Sequence, residues 1–181
     1  FLGSLKTYLI CPQNENRILK IPPQMPYDQA ASFMMSFGTA FKSLSFVDWL
    51  SLKDSSLLIL GGSTNSGVFA AQLAKKHFGI KTVVATCSTK SIPRVTSFGV
   101  DYTLDYTNKS SPIPEQAVHL IQNELGGTKF DMIFDCVGGT ELFPSISSLL
   151  KPASSGAYYV TIVGDDPNFG LTWGLVTAAS K

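Results

Sequence analysis

The residues best suited to chemistry in this sequence form a short glycine-bearing segment, residues 61–67, with the sequence GGSTNSG. It follows the apolar run 57–60 and precedes a stretch whose apolar residues recur at helical spacing. Such a strand-to-helix turn can hold a pyrophosphate, because glycines admit the phosphates and the helix start offers free N–H groups. A turn that only packs the helix on the sheet is the alternative. The predicted phosphate-binding residues are Gly61, Ser63, Thr64, Asn65, Ser66 and Gly67.

Thr64 departs from the glycine pattern of such loops. The outer glycines are Gly61 and Gly67, and the middle position, three residues before Gly67, is a threonine. A Cβ atom at this position would crowd a bound pyrophosphate, although the hydroxyl could also donate a hydrogen bond to one. We therefore predict weaker pyrophosphate binding than in a loop with glycine there.

Basic residues dominate the region after the second predicted strand. An NAD site usually places Asp or Glu about 20 residues past the glycine loop, where it binds the ribose 2′-hydroxyl. Here no acidic residue lies between Asp54 and Asp101, whereas five lysine or arginine residues do. This balance favours a 2′-phosphate, and therefore NADPH, with Ser88, Lys90 and Arg94 as predicted contacts. For Lys90 and Arg94, an ordinary solvated surface charge is the alternative.

The elements that would position these residues form a regular alternation. Short apolar runs, typical of strands buried in a parallel sheet, alternate with stretches of helical spacing. The predicted strands are residues 57–60, 82–86, 102–106, 130–136 and 156–164. The alternation predicts an α/β fold, a Rossmann-type doubly wound parallel sheet with helices on both faces.

The two ends of the chain give further expectations. Residues 5–11 have the pattern of a strand, and residues 171–181 that of the start of another helix. A helix begins at Asp28 and is expected to be interrupted near Gly38. The chain lacks an initial Met, and we expect a fragment of a longer protein; a domain whose first strand lies near its terminus is the alternative. The residues expected to be buried in this helix are Ala31, Met34, Met35, Phe41 and Leu44.

Composition excludes several classes of protein. Lys and Arg number 14 against 13 Asp and Glu, a net charge of +1, which argues against binding nucleic acid through a basic surface. Three widely spaced cysteines exclude a disulfide scaffold. No apolar run approaches the roughly 20 residues that span a bilayer, and the first residues lack the pattern of a signal peptide. We expect a cytoplasmic globular domain that acts on a small molecule.

Several blocks in order resemble the medium-chain dehydrogenases/reductases. They include SFGTAF, LLILGGSTNSGVFAAQLAK, FDMIFDCVGG and YYVTIVG, and they are most similar to a fungal group within the quinone oxidoreductase-like branch. The resemblance implies that residues 1–26 are the end of a GroES-like substrate domain. Residues 27–181 would then be an NAD(P)-binding Rossmann domain, incomplete at its C-terminus.

The resemblance also implies an activity and further site residues. Members of this branch transfer a hydride from NADPH to a quinone or an α,β-unsaturated carbonyl. Met35 stands where zinc-dependent members have a cysteine, so no metal site is expected, and His77 and His119 are expected to be packing or surface residues. Thr39 is a candidate for a position near the nicotinamide, and a helix-interior hydroxyl bonded to the backbone is its alternative. Further cofactor contacts are expected at Tyr106, Val137 and Gly138.

Other hypotheses remain open at this point. Thr64 supports a pseudo-reductase that binds nucleotide weakly, or not at all, and serves as a partner-binding or membrane-trafficking protein, because fold does not fix function. A methyltransferase shares the alternation and the glycine loop, but the ordered family blocks count against it. Asp135 is expected to cap the turn that follows it, and Cys87 and Cys136 to be buried structural residues. The resemblance alone implies a homodimer, and association with mitochondria or lipid droplets.

Overall fold

The computed structural model describes residues 20–163 and the short strand Val176–Thr177. The predicted strand at residues 5–11 lies outside the described residues. The chain divides into two compact units, Phe1–Met34 and Met35–Lys181. The second unit contains the sheet and the glycine loop.

A six-stranded sheet organises the second unit. Its strands are β1 Ser56–Leu60, β2 Thr82–Cys87, β3 Tyr102–Asp105, β4 Met132–Asp135, β5 Tyr158–Thr161 and β6 Val176–Thr177. The order across the sheet is β3-β2-β1-β4-β5-β6, and β1 to β5 are all parallel. The predicted fold class, an α/β doubly wound parallel sheet, is confirmed.

The strand β6 corrects one expectation. The sequence predicts the start of a helix over residues 171–181, but Val176 and Thr177 pair antiparallel with Thr161 and Val160 of β5. Both residues are β-branched, which favours an extended backbone over a helix. Pairing also occupies backbone groups of β5 that would otherwise be left open at the edge of the sheet.

In the part of the chain that the structure describes, five helices accompany the strands: α1 Tyr27–Leu44, α2 Asn65–Lys76, α3 Ile92–Thr96, α4 Ile113–Asn123 and α5 Ile146–Leu149. Short 3₁₀ turns lie at Trp49–Ser51, Thr89–Ser91, Phe143–Ser145 and Ala153–Ser155. Proline stands in the first turn of α3 and of α4, where its missing N–H is not needed by the helix.

Two apolar cores lie on opposite faces of the sheet, and β1 shows how they are separated. Because successive side chains of a strand point to opposite faces, Leu57 and Ile59 join one core and Leu58 and Leu60 join the other. The first core contains apolar residues of α2 and the second those of α4. The sheet is therefore covered on both sides, which explains why its strands are continuous apolar runs.

The helix α1 differs from its prediction in two ways. It continues through Gly38, whose missing side chain costs a helix only about 1 kcal/mol relative to alanine. Leu44 is fully buried, as expected, but Met34 and Met35 are 52% and 71% exposed. Ala31 and Phe41 are exposed as well. Helical spacing identifies residues that share a face, but it does not reveal whether other residues cover that face.

Candidate dinucleotide-binding site

The carboxyl ends of the parallel strands form one edge of the sheet, and the candidate site lies there. The strand order reverses between β1 and β4, and a crevice opens at such a switch point in doubly wound folds. The turn after β1, residues 61–64, leaves the sheet at this crevice, as predicted. The predicted residues that follow strands at this edge are Gly61, Ser63, Thr64, Ser88, Lys90, Tyr106, Val137 and Gly138.

The glycines of the turn are required by contacts within the protein. Gly61 has a φ of +84°, which other residues rarely adopt. A Cβ atom on Gly67 would lie 2.2 Å from the carbonyl oxygen of Gly61, and one on Gly62 would lie 2.7 Å from the Cβ of Ala85. Gly62 is absent from the predicted site residues, yet it lets the turn pack on β2. Packing within the protein is therefore enough to explain why this turn contains glycines.

Thr64 is the N-cap of α2. Its hydroxyl donates to the carbonyl oxygen of Gly61 at 2.8 Å and accepts from the N–H of Gly67 at 3.0 Å. The hydroxyl that was considered as a phosphate donor is thus already used inside the turn. Capping of this kind stabilises a helix start by about 1 kcal/mol relative to alanine.

Open backbone donors remain where a phosphate would need them. The N–H groups of Gly61 and Gly62 are bound by the hydroxyl and the carbonyl oxygen of Thr86, both at 2.8 Å. Among the described residues, the N–H groups of Ser63, Asn65 and Ser66 have no acceptor. Three open donors at the start of a 12-residue helix are suited to an anion, so this turn fits the pyrophosphate of a dinucleotide.

The turn after β2 carries two of the residues predicted for cofactor choice. The Ser88 side chain is buried and hydrogen-bonded to Ser91 at 3.0 Å. Lys90 is exposed and forms no ion pair with any described residue. Tyr106, just past β3, is 53% exposed, and its N–H donates a hydrogen bond to the carbonyl oxygen of Cys87. Arg94 lies instead in α3, with its guanidinium 5.8 Å from the ring centre of Phe98.

The acid Asp105 reaches the end of β2 from the neighbouring strand. In the parallel register it stands beside Cys87, and its Oδ2 accepts a hydrogen bond from the hydroxyl of Thr89. Its Oδ1 accepts from the N–H and the hydroxyl of Thr107, at 2.8 and 2.6 Å. The sequence has no acid between Asp54 and Asp101, but the sheet supplies one from β3, so the expectation of an acid-free region after β2 is corrected.

The side chain of Gln116 holds the backbone of Asp105. Its Oε1 accepts from the N–H of Asp105 at 2.9 Å, and its Nε2 donates to the carbonyl oxygens of Asp105 and Ser111 at 2.9 and 2.6 Å. Because β3 is the edge strand of the sheet, these backbone groups have no further strand to pair with. The amide of Gln116 replaces that missing strand.

Asp135 orders the turn after β4, as predicted. Its Oδ1 accepts from the N–H groups of Val137 and Gly138 at 2.9 and 2.8 Å. The hydroxyl of Tyr159, on β5, donates to Oδ2 at 2.7 Å. Both side chains are almost fully buried. Val137 remains 58% exposed. It lies against Gly61, because a Cβ atom added to Gly61 would be only 2.6 Å from Cγ2 of Val137. The turns after β1 and β4 therefore touch.

The cysteines and Thr39 supply no reactive group here. Burial raises the pKa of the Cys136 thiol to about 12, although a hydrogen bond with Thr64 opposes the shift. Burial also raises the pKa of Cys87, so neither thiol is poised to ionise near neutral pH. Thr39 lies within α1 and is partly buried. Its hydroxyl makes no hydrogen bond to any described residue, so the backbone-bonded alternative is not found.

The two histidines belong to helix surfaces and packing. His77 caps the C-terminus of α2, and its ring packs on Phe41 and Phe78 with centre distances of 5.4 and 4.8 Å. His119 is exposed on α4. Neither approaches the crevice between β1 and β4 through a described contact.

A doubly wound parallel sheet with open donors at its switch point defines the class of dinucleotide-binding domains. The sequence model of the zinc-binding dehydrogenase family matches residues 67–169, which is more than half of the chain. The chain therefore belongs to this family, within the medium-chain dehydrogenases/reductases.

Three relatives illustrate the relationship. Protein YIM1 of Saccharomyces cerevisiae is 39% identical over 175 residues, which cover 91% of this chain and 47% of that protein. A mycobacterial structure complexed with NADPH is 26% identical with a TM-score of 0.59, covering 72% of this chain and 38% of its own. The quinone oxidoreductase from Coxiella burnetii is 25% identical with a TM-score of 0.57, covering 72% and 37%. The chain thus spans about half the length of the curated relatives it matches.

The family name raises the question of zinc. No three His, Cys, Asp or Glu side chains among residues 20–163 lie close enough together to hold a metal ion. Met35 is exposed on α1, and a thioether is a poor ligand for zinc. The described residues therefore do not fit a zinc site.

In the same part of the chain, no helix is both long and apolar enough to cross a membrane.

Proposed function

We propose that this chain is the cofactor-binding half of an NADPH-dependent oxidoreductase that reduces a quinone or an α,β-unsaturated carbonyl. The observation that carries the proposal is the set of open N–H groups at Ser63, Asn65 and Ser66, directly beside the switch point of the sheet. The mycobacterial relative with bound NADPH and the quinone oxidoreductase relative support the choice of cofactor and substrate class.

Each part of the crevice has a role in this proposal. Bound NADPH would supply a hydride, which is the chemistry that the cofactor itself carries. The start of α2 binds the pyrophosphate, and Ser88, Lys90 and Tyr106 contact the adenosine half, with Arg94 close by in α3. The turn that contains Val137 and Gly138 contacts the nicotinamide half of the cofactor. Thr39 is the candidate near the nicotinamide.

No metal takes part in the proposed reaction. The described residues offer no zinc ligand set. Hydride transfer to an electron-poor acceptor needs a positioned cofactor and a site that excludes water, and a proton that solvent can supply afterwards completes the reduction. The substrate contacts are assigned to residues outside this chain, consistent with residues 1–26 being the end of a GroES-like domain. A homodimer remains part of the proposal.

The experiment is a titration of the full-length protein with NADPH and NADH, followed by fluorescence or calorimetry, comparing Gly67→Ala with Gly38→Ala. The Cβ atom that the first substitution adds would lie 2.2 Å from the carbonyl oxygen of Gly61, whereas at Gly38 nothing lies within 4 Å and the helix is only stabilised. We expect NADPH affinity to fall at least about tenfold for Gly67→Ala, equivalent to about 1.4 kcal/mol. The Gly38→Ala protein should bind like the wild type.

Thr64 favours a second candidate, a pseudo-reductase that serves as a partner-binding or trafficking protein. Its side chain occupies the middle of the turn, and its hydroxyl is used for the cap rather than for a ligand. This candidate predicts that the folded wild-type protein binds neither nucleotide in the same titration. Absence of binding, with the thermal transition of a folded protein, would overturn the reductase proposal.

A further inference from the structure

Asp105 lies between the turn that follows β2 and the loop that follows β3. Its two carboxylate oxygens accept three hydrogen bonds, one from Thr89 and two from Thr107. The hydroxyls of Thr89 and Thr107 also contact each other at 3.0 Å. We call Asp105, Thr89 and Thr107 the carboxylate cluster.

The carboxylate cluster stands where nucleotide-binding folds distinguish their cofactors. The acid after β2 usually accepts a hydrogen bond from the ribose 2′-hydroxyl of NAD, and a basic residue there accommodates the 2′-phosphate of NADP. In this chain the acid arrives from β3, and Lys90 directly follows the threonine that binds it. The acid and the base that bear on cofactor choice are therefore linked through Thr89, whose hydroxyl binds Asp105 and which directly precedes Lys90.

We propose that Thr89 sets the cofactor preference by holding Asp105 in internal hydrogen bonds, so that the carboxylate is unavailable to a ribose 2′-hydroxyl and Lys90 is left to meet a 2′-phosphate. This inference rests on the proposed nucleotide-binding function. Thr89 is a specificity-determining residue in this arrangement, acting through Asp105. Asp105 itself opposes the phosphate by its charge.

The charges and contacts support both parts of the inference. Hydrogen bonds from Thr107 and Thr89 hold the pKa of Asp105 below its ordinary value, so the side chain is ionised at neutral pH. A carboxylate near a phosphate repels it, and the repulsion is weakened by salt. Loss of the Thr89 hydroxyl would remove the side-chain donor from Oδ2 and open that oxygen to a ligand donor, while the backbone of Thr89 and Thr107 would still contact the carboxylate.

A purely structural role for the cluster makes a different prediction. The backbone of Asp105 is held independently by Gln116, so the strand end keeps its anchor when a side chain of the cluster changes. If the cluster only shaped the site, any substitution in it would weaken NADPH and NADH together. The specificity role instead predicts opposite effects from substitutions of Thr89 and of Asp105.

The test measures NADPH and NADH affinities of the full-length protein, together with those of 2′,5′-ADP and ADP, at low salt. Thr89→Val should lower the NADPH to NADH affinity ratio by about fivefold, because the freed carboxylate repels phosphate and accepts from the hydroxyl. Asp105→Asn should raise the same ratio by about threefold, because it removes the charge and keeps the shape. The 2′,5′-ADP to ADP ratio should follow.

Two further variants separate the outcomes. Thr89→Ser keeps the hydroxyl and should restore the wild-type ratio. Thr96→Val is the matched control, since Thr96 is exposed and its hydroxyl makes no hydrogen bond among the described residues. Equal losses for both nucleotides, or ratios moving in the same direction in Thr89→Val and Asp105→Asn, would overturn this inference alone. A wild-type protein that binds no nucleotide would overturn it together with the proposed function.

Discussion

Asp135 shows how one buried carboxylate orders a turn of the candidate site. A buried charge is costly unless hydrogen bonds compensate it, and here two backbone N–H groups and the Tyr159 hydroxyl do so. The carboxylate therefore fixes the positions of Val137 and Gly138 relative to β5. Loss of one of these hydrogen bonds should therefore disturb this turn more than the rest of the sheet.

Removal of the Tyr159 hydroxyl should affect one half of the cofactor. Tyr159→Phe leaves Oδ2 of Asp135 buried without this donor, which should cost about 1–3 kcal/mol of stability. The turn after β4 lies on the opposite side of β1 from the residues proposed to bind the adenosine half. NADPH affinity should therefore fall, while the affinity for 2′,5′-ADP, which has no nicotinamide half, stays unchanged. Tyr158→Phe is the matched control, since the hydroxyl of Tyr158 has no hydrogen-bond partner among the described residues. Equal loss for both ligands would mean that Tyr159 supports the whole domain and not this turn.

At the scale of elements, the start of α2 combines two demands that conflict. The helix needs a cap, which Thr64 supplies, and a phosphate needs space, which the Cβ of Thr64 reduces. Glycine caps a helix only a few tenths of a kcal/mol less well than threonine does. The cap therefore gives no strong reason to retain a side chain at this position.

We expect Thr64→Gly to tighten NADPH binding by roughly fivefold, or about 1 kcal/mol, because the crowding side chain is removed. Thr64→Ser keeps the capping hydroxyl and removes only the methyl group, so it should preserve stability and give a smaller gain. Calorimetric titration and thermal unfolding of the three proteins measure both effects. Weaker binding by Thr64→Gly would show that the hydroxyl is needed to shape the turn or to meet the phosphate.

Strands β1 to β5 could be predicted from sequence, because strands buried on both faces are continuous apolar runs such as residues 57–60, whereas β6 could not. The Asp135 cap could also be predicted, since its partners follow within three residues. The contacts of Asp105 with Thr89 and of Asp135 with Tyr159 could not, because they depend on the register of neighbouring strands. For α1, spacing identified Leu44 but overestimated burial at Met34 and Met35.

At the scale of the whole molecule, the two ends of the sheet have different tasks. The carboxyl ends of the strands hold the candidate site, and the amino ends hold a buried ion pair. There Asp131 accepts from Lys151 at 2.6 Å and from the N–H of Ser56 at 2.9 Å, and it is 3% exposed. The hydrogen bond from Ser56 joins the start of β1 to the start of β4, and the ion pair joins the start of β4 to the segment that follows α5.

Breaking this pair should destabilise the protein without changing nucleotide binding. Lys151→Met leaves a buried carboxylate without its cation, and since Lys151 is partly exposed we expect a loss of about 1–3 kcal/mol. Lys81→Met is the matched control, because the Lys81–Asp54 pair is exposed to solvent and its loss should change stability much less. Denaturant unfolding measures the stabilities, and NADPH titration measures the site. A change in NADPH affinity for Lys151→Met alone would show that the two ends are coupled.

The contact between Gln116 and Asp105 has a consequence for the behaviour of the chain in a crowded solution. An edge strand with open backbone groups is a template on which another chain can add a strand, and such additions lead to aggregation. The Gln116 amide already occupies both backbone groups of Asp105. One side chain from α4 thus protects the end of the edge strand from intermolecular pairing.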